Sequence, residues 1–149
     1  MSAERYTFDT NILFYALDAD ASKKHHIAEG LIASANTERA LILLQTLGEL
    51  CHSVKKKHPS ELATAHRWVQ RSMVLFEVIA ASPADLAQAM DAQQQHHLLF
   101  WDAMLWATAR RAGCTLFLTE DLQDGRTLGG VTFRNPFTIS QPELDDLLG

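Results

Sequence analysis

At 149 residues, with no Pro/Gly/Ser-rich linker, the chain reads as one domain spanning 1–149, and its 47% hydrophobic and 21% charged residues suffice for a core. A net charge of −5, from 13 basic and 18 acidic side chains, excludes a protein that holds nucleic acid through bulk positive charge. No apolar run reaches the roughly 18 residues of a membrane helix, the first ten residues lack the apolar stretch of a signal peptide, and the two cysteines, Cys51 and Cys114, have no C-x-x-C spacing. A soluble, cytoplasmic protein is expected, with no membrane contact and with both cysteines as small core residues.

Arg5–Phe8 is a short β-prone run that ends at Asp9, and Thr10 or Asn11 caps a helix opening at Ile12. Ile27, Leu31 and Ile32 set a helical stripe in His25–Asn36, after which Ala40–Leu44 reads as a fully buried strand. Gln45–Lys57 is a helix carrying Glu49. Pro59 suits the first turn of a further helix reaching Ser72, and Val74–Ile79 has the β-branched and aromatic content of a third strand. Ser82 caps the next helix, with Asp85 in its first turn. Phe100–Ala112 is helical and stops at Gly113, Thr115–Leu118 is a fourth strand, Val131–Phe133 adds an edge strand, and Pro142–Leu148 forms a terminal helical turn. Alternating β and α elements imply a mostly parallel sheet covered by helices on both faces.

In such sheets the ligand crevice lies beyond the carboxyl ends of the strands. Asp9 and Asp121 both fall there, although each alone also reads as a turn former or cap. Asp102 stands out more, because Leu98–Ala107 is apolar nearly all round and an unpaired buried carboxylate is costly. It reads either as a ligand or as a cap or first-turn acid facing the helix dipole. Glu49 repeats the pattern in Leu47-Gly48-Glu49-Leu50, with a solvated face as its plainer reading. Four acids meeting above one end of the sheet would repel one another without divalent cations, and all-carboxylate ligation suits Mg²⁺ or Mn²⁺ and does not suit zinc. Phosphodiester hydrolysis is the chemistry such a site supports.

The run Tyr6-Thr7-Phe8-Asp9-Thr10-Asn11-Ile12-Leu13, then Leu47-Gly48-Glu49-Leu50, Phe100-Trp101-Asp102-Ala103, Leu118-Thr119-Glu120-Asp121 and the closing Asn135-Pro136-Phe137 together resemble the PIN domain. The likeness is closest to toxin ribonucleases of the VapC type and spans almost the whole chain. It implies a single PIN-like three-layer α/β/α domain with a mostly parallel central sheet of four to five strands. It also implies a Mg²⁺- or Mn²⁺-dependent endoribonuclease that cleaves single-stranded RNA, the toxin of a type II toxin–antitoxin pair. Position by position, Asp9, Glu49, Asp102 and Asp121 fall on the family's acidic quartet, with Asp9, Asp102 and Asp121 as metal ligands. Asn11 falls on the polar residue that orients the first Asp, and Thr119 on the small hydroxyl residue near the metal. Asp124 reads either as an outer support of the metal site or as the turn acid of Asp124-Gly125, the latter favoured. A homodimer and a small antitoxin whose basic side chain enters the acidic site are implied as well.

Lys23 and Lys24 lie near Asp9 in sequence, and Lys55 opens the run that closes the Glu49 helix. All three are candidate RNA contacts, with helix-end charge compensation as the alternative for Lys55-Lys56-Lys57 and for Arg110-Arg111. His25, His26, His96 and His97 lack helical zinc spacing and are expected at the surface. Trp68, Trp101 and Trp106 are expected to pack inside. Two rivals remain: a non-catalytic RNA-binding or regulatory PIN-like module, and a haloacid-dehalogenase-type phosphatase. The phosphatase is disfavoured because Asn11 stands where its second acid belongs and no lysine follows Lys57.

Overall fold

The computed structural model describes residues 4–149. Five strands lie parallel: β1 (Arg5–Phe8), β2 (Leu41–Leu43), β3 (Glu77–Ile79), β4 (Cys114–Leu118) and β6 (Val131–Arg134). The two-residue β5 (Thr127–Leu128) runs antiparallel along the outside of β6. A parallel bridge between Tyr6 and Ala40, with the Thr7 hydroxyl donating to the Leu41 carbonyl at 2.7 Å, sets β2 beside β1. The spatial order is therefore β3-β2-β1-β4-β6-β5. Strand order reverses between β1 and β4, so the two following segments leave the sheet in opposite directions and open a crevice at their carboxyl ends.

Among the described residues seven α-helices cover the sheet. On one face Tyr6, Phe8, Ile42, Leu116 and Leu118 pack with Ile12 and Leu13 of α1 (Thr10–Leu17), Leu31 of α2 (Lys23–Ala33), Leu47 and Leu50 of α3 (Leu44–Lys57), Ala65 of α4 (Leu62–Leu75) and Leu144 of α7 (Gln141–Leu148). On the other face Leu41, Leu43, Phe117 and Phe133 pack with Ala89 and Ala92 of α5 (Pro83–Gln95) and with Ala103, Leu105 and Trp106 of α6 (Phe100–Arg111). The alternation along β2 and β4 that sends neighbouring side chains to opposite layers is the two-residue period of a strand buried on both sides. No helix among the described residues is long and apolar enough to cross a membrane.

Several elements depart from the sequence expectation. The N-cap of α1 is Asp9 rather than Thr10 or Asn11, and the helix begins at Thr10. The strand expected over Ala40–Leu44 ends at Leu43, because Leu44 opens α3 with its side chain exposed. The helix expected to close near Ser72 runs on to Leu75, so the strand expected over Val74–Ile79 shrinks to Glu77–Ile79 and Val74 is 85% exposed. The strand expected at the edge, β6, is flanked by β5 and is interior. Cys51 is only partly buried, whereas Cys114 is buried. His25 is half-buried, with Nδ1 on the Tyr15 carbonyl at 2.9 Å and Nε2 beside Glu29 at 3.1 Å. Trp106 is buried and Trp68 packs against the first core, but Trp101 is 62% exposed. Gly113 does close α6 in the left-handed region, at φ +87°.

Besides its apolar contacts, the pairing of α5 with α6 has a polar tie at their ends. Ser82 and Asp85 form a reciprocal capping box, and Asp85, 2% exposed, also accepts from Arg111 Nε at 2.9 and 3.0 Å. Arg111 Nη2 donates to the Ala80 carbonyl at 2.7 Å, so Arg111 ties the end of α6 to the entry of α5 and is not left for a ligand. Asp85→Ala is expected to lower the unfolding free energy by about 1–3 kcal/mol, since it removes a cap and strands the guanidinium. Asp85→Asn, which keeps the cap acceptor, is expected to lose less. Urea denaturation of the two variants checks the order.

Candidate active site

The register of β1 against β4 pairs Phe8 with Leu118, which brings the next residues, Asp9 and Thr119, side by side at the reversal point. The Asp9 amide donates to the Leu118 carbonyl at 2.8 Å, and the Thr119 amide donates to the Arg134 carbonyl at 2.9 Å, so both positions are fixed by the ladder. The Asp9 side chain is 4% exposed. Its Oδ1 accepts from the Thr10 amide at 2.7 Å and its Oδ2 from the Thr119 hydroxyl at 2.8 Å. Thr119 Oγ1 in turn accepts from the Asp121 amide at 3.1 Å, which sets the loop after β4.

Glu49 is held from two sides, by the Thr10 hydroxyl on Oε2 and by Gln45 Nε2 on Oε1 at 2.7 Å. The same Gln45 nitrogen reaches the Trp101 carbonyl at 3.2 Å, coupling α3 to the first turn of α6, where Asp102 sits. Asp102 does not cap that helix: the cap position is Leu99, and no side chain caps it. Asn11 Nδ2 donates to Asp121 Oδ2 at 2.9 Å. Asn11 therefore orients Asp121, where the resemblance implied Asp9, and Thr119 takes the role toward Asp9.

Burial pushes the Asp9 carboxyl up to about 7, against the opposing bonds from Thr119 and Thr10, and the charges of Asp121 and Asp102 push the same way. Burial also raises Asp102, followed by the charges of Asp121 and Glu49. Asp121 is raised by burial and then by Glu120, with Lys24 and Asn11 opposing. The four acids are thus electrostatically one group. They are not a closed cage: among the described residues no three carboxylate, histidine or cysteine groups are arranged to hold a metal ion as they stand. The donor chemistry nevertheless suits a hard cation, since every candidate ligand is a carboxylate oxygen with acceptor capacity beyond its present hydrogen bonds.

Asp124 lies outside this group. It accepts from Arg134 Nε at 3.1 Å and from the Asn135 amide at 2.9 Å, tying its loop to the end of β6. Lys24 is the candidate cation that the fold brings close: its Nζ pairs with Glu120 at 2.8 Å and lies 5.0 Å from the Tyr15 ring centre and 5.5 Å from that of Phe137, while the Tyr15 hydroxyl donates to the other Glu120 oxygen. Lys23 is exposed at the start of α2. Lys55 is exposed in the last turn of α3, about 9 Å along the axis from Glu49 at 1.5 Å per residue. Thr10, Gln45, Tyr15 and Glu120 were not anticipated at the site. Gln45 had a signal, four residues before Glu49 on one helix face.

A group whose folded pKa lies above its unfolded value stabilises the fold at low pH and loses that contribution as pH rises. For Asp9 the window runs from the ordinary 3.8 to about 7. In EDTA, the melting temperature of the protein is expected to fall from pH 5 to pH 8 more steeply than that of Asp9→Asn, which cannot ionise. Parallel melting curves for the two proteins overturn the assignment.

Comparison with known proteins identifies the fold. The PIN domain profile matches residues 6–123. Among solved structures, the chain resembles Mycobacterium tuberculosis VapC20, described as a sarcin-ricin loop cleaving toxin, at TM-score 0.66 and 20% identity over 78% of this chain and 89% of that one. A toxin–antitoxin complex from Klebsiella pneumoniae gives TM-score 0.65 and 22% identity over 90% and 99%. FitAcB from Neisseria gonorrhoeae gives TM-score 0.67 and 18% identity over 90% and 99%. No curated protein matches the chain significantly. With a family profile that covers residues 6–123, most of the sequence, the chain belongs to the PIN domain family.

Proposed function

We propose that the protein is a Mg²⁺- or Mn²⁺-dependent endoribonuclease acting on single-stranded RNA, and that it is the toxin of a type II toxin–antitoxin pair in the cytoplasm. The observation that carries this reading is the buried Asp9 carboxylate, fixed by the Thr10 amide and the Thr119 hydroxyl at the carboxyl ends of β1 and β4, with Asp102 and Asp121 near enough to act on its charge. Like charges gathered away from water repel one another, and a bound cation would relieve that repulsion. The toxins among the similar folds, one of them described as cleaving the sarcin-ricin loop, support the same direction.

Asp9, Asp102 and Asp121 are the residues that would hold the ion. When bound, a divalent ion polarises a phosphodiester oxygen and lowers the pKa of a water. The chain's own groups supply the positioning. Thr119 and the Thr10 amide fix both oxygens of Asp9, and Asn11 fixes Asp121. Glu49, clamped by Thr10 and Gln45, is the carboxylate left to accept a proton from water. Lys24 sets a fixed positive charge beside Asp121, largely offset by Glu120. A small antitoxin and a second copy of the chain belong to the same reading. The exposed Met73, Val74 and Leu75 of α4 and Leu86 and Met90 of α5 are apolar surface available for such contacts.

Family membership removes the phosphatase alternative. The open spacing of the carboxylates favours the second reading, a PIN-like module that binds RNA without cutting it. One assay decides between them: with Mn²⁺ the protein is expected to cleave single-stranded RNA and to leave a stable duplex largely intact, and EDTA is expected to abolish cleavage. Binding without cleavage at any Mn²⁺ concentration establishes the module instead.

Asp102→Asn is expected to cut activity by more than tenfold, a barrier change of about 1.4 kcal/mol, while stability in EDTA stays equal or rises because a like charge is gone. Retention of more than about a tenth of the activity overturns the ligand role. Millimolar Mn²⁺ is also expected to raise the melting temperature of the unaltered protein, by mass action on the folded state alone. Identical melting in Mn²⁺ and EDTA speaks against a shared site.

A further inference from the structure

From Ala103 to Ala109, α6 is buried without interruption, yet the residues at its start are not. Leu99 is 76% exposed and Trp101 62%, and Leu44, at the start of α3, is exposed as well. Gln45 shows how close this rim stands to the acids, because one side-chain nitrogen bonds both Glu49 Oε1 and the Trp101 carbonyl. Trp101 also precedes Asp102 directly. Its ring meets Phe100 edge-on, with centroids 4.9 Å apart and planes at 76°. An indole left in water at the lip of a polar site is not explained by packing: the other two tryptophans of the chain are buried or half-buried, and Trp106 has its Nε1 satisfied by the Leu128 carbonyl at 3.0 Å.

Charge offers little grip on a polyanion here. The chain carries −5, the site gathers four acids, and the nearest lysine, Lys24, is engaged by Glu120. Apart from a bound ion at the acids, affinity for RNA then draws on a contact that charge does not supply. An exposed aromatic face is such a contact, since every base has a π-face and stacking tolerates any sequence. Only an unpaired base can reach it, which agrees with single strands as the substrate.

We propose that Trp101 is the base-stacking residue of the site, its indole taking a nucleobase that flanks the phosphodiester held at the acids. The proposal rests on the nuclease reading and adds to it a residue that binds substrate without entering the chemistry. Stacking contributes to binding substrate and transition state alike, so its loss belongs in KM.

The test uses the full chain and a mixed-sequence single-stranded 12-mer oligoribonucleotide. In EDTA, titration with the oligonucleotide is expected to quench tryptophan fluorescence of the unaltered protein. Trp101→Ala is expected to abolish the quench and weaken binding about tenfold. Trp101→Phe, measured by fluorescence anisotropy of a labelled 12-mer, is expected to bind within about twofold of the unaltered protein. In Mn²⁺, Trp101→Ala is expected to raise KM about tenfold with kcat within about twofold, by a factor that does not change with salt. Because the side chain is exposed, both variants are expected to melt within about 2 °C of the unaltered protein.

Cleavage and binding by Trp101→Ala equal to the unaltered protein overturn the proposal while leaving the nuclease reading intact. A variant that binds and cuts normally but changes its sedimentation assigns Trp101 to a protein contact and overturns it too. A quench that Trp101→Ala abolishes, in a protein that cuts no RNA with any divalent ion, supports the stacking role and removes the nuclease reading alone.

Discussion

The site depends on one buried carboxylate being tolerated. Asp9 sits almost out of contact with water between the Thr10 amide and the Thr119 hydroxyl, and two charge-assisted hydrogen bonds are what allow it to remain there. The same two bonds do structural work. One caps α1 and so aims the Thr10 hydroxyl at Glu49. The other fixes Thr119, which turns the loop that presents Asp121. A core in which parallel strands are covered on both faces leaves the carboxyl ends of β1 and β4 as the natural opening. The acid cluster is therefore a property of the strand order as much as of the side chains.

Much of this was legible in the sequence. Strands β1 and β4 announce themselves as short apolar runs that end in polar residues, Ser82 with Asp85 is a capping signal, and Gly113 marks a helix end. Asp9 and Asp121 were conspicuous as acids just past strand ends, and Asp102 and Glu49 as carboxylates among apolar neighbours. What failed did so for identifiable reasons. Val74 to Phe76 has strand-like composition, yet α4 extends through Leu75 and buries Ser72 while Val74 faces water, so helix continuation overrode β propensity. Leu44 belongs to an apolar run but starts a helix, which shortens β2 to three residues.

Partners across long sequence separations were not legible. Nothing in Asn11 says that it will hold Asp121 rather than Asp9, and nothing in Glu120 says that it will engage Lys24 and Tyr15. Such bonds are set by how β1 and β4 register, which single-sequence patterning does not encode. Trp101 shows the converse limit. From Ala103 onward its helix is buried, and only its place in the first turn, with the exposed Leu99 just before it, leaves it outside.

The pairing of β1 with β4 also governs when the site can exist. The Thr119 to Asp9 bond joins residues 110 apart, and every parallel neighbour of β1 lies beyond an intervening crossover. Closing loops of that length precedes the contacts that reward it, so folding is expected to be slow relative to local helix formation. During synthesis β1 emerges before its partner and must wait, its Asp9 solvated and ordinary, until some 110 residues have followed it out of the ribosome. A chain arrested before β4 holds three of the four acids and none of the architecture that makes them costly. Assembly of the acid cluster thereby waits on synthesis of the chain through β4 and on its pairing with β1.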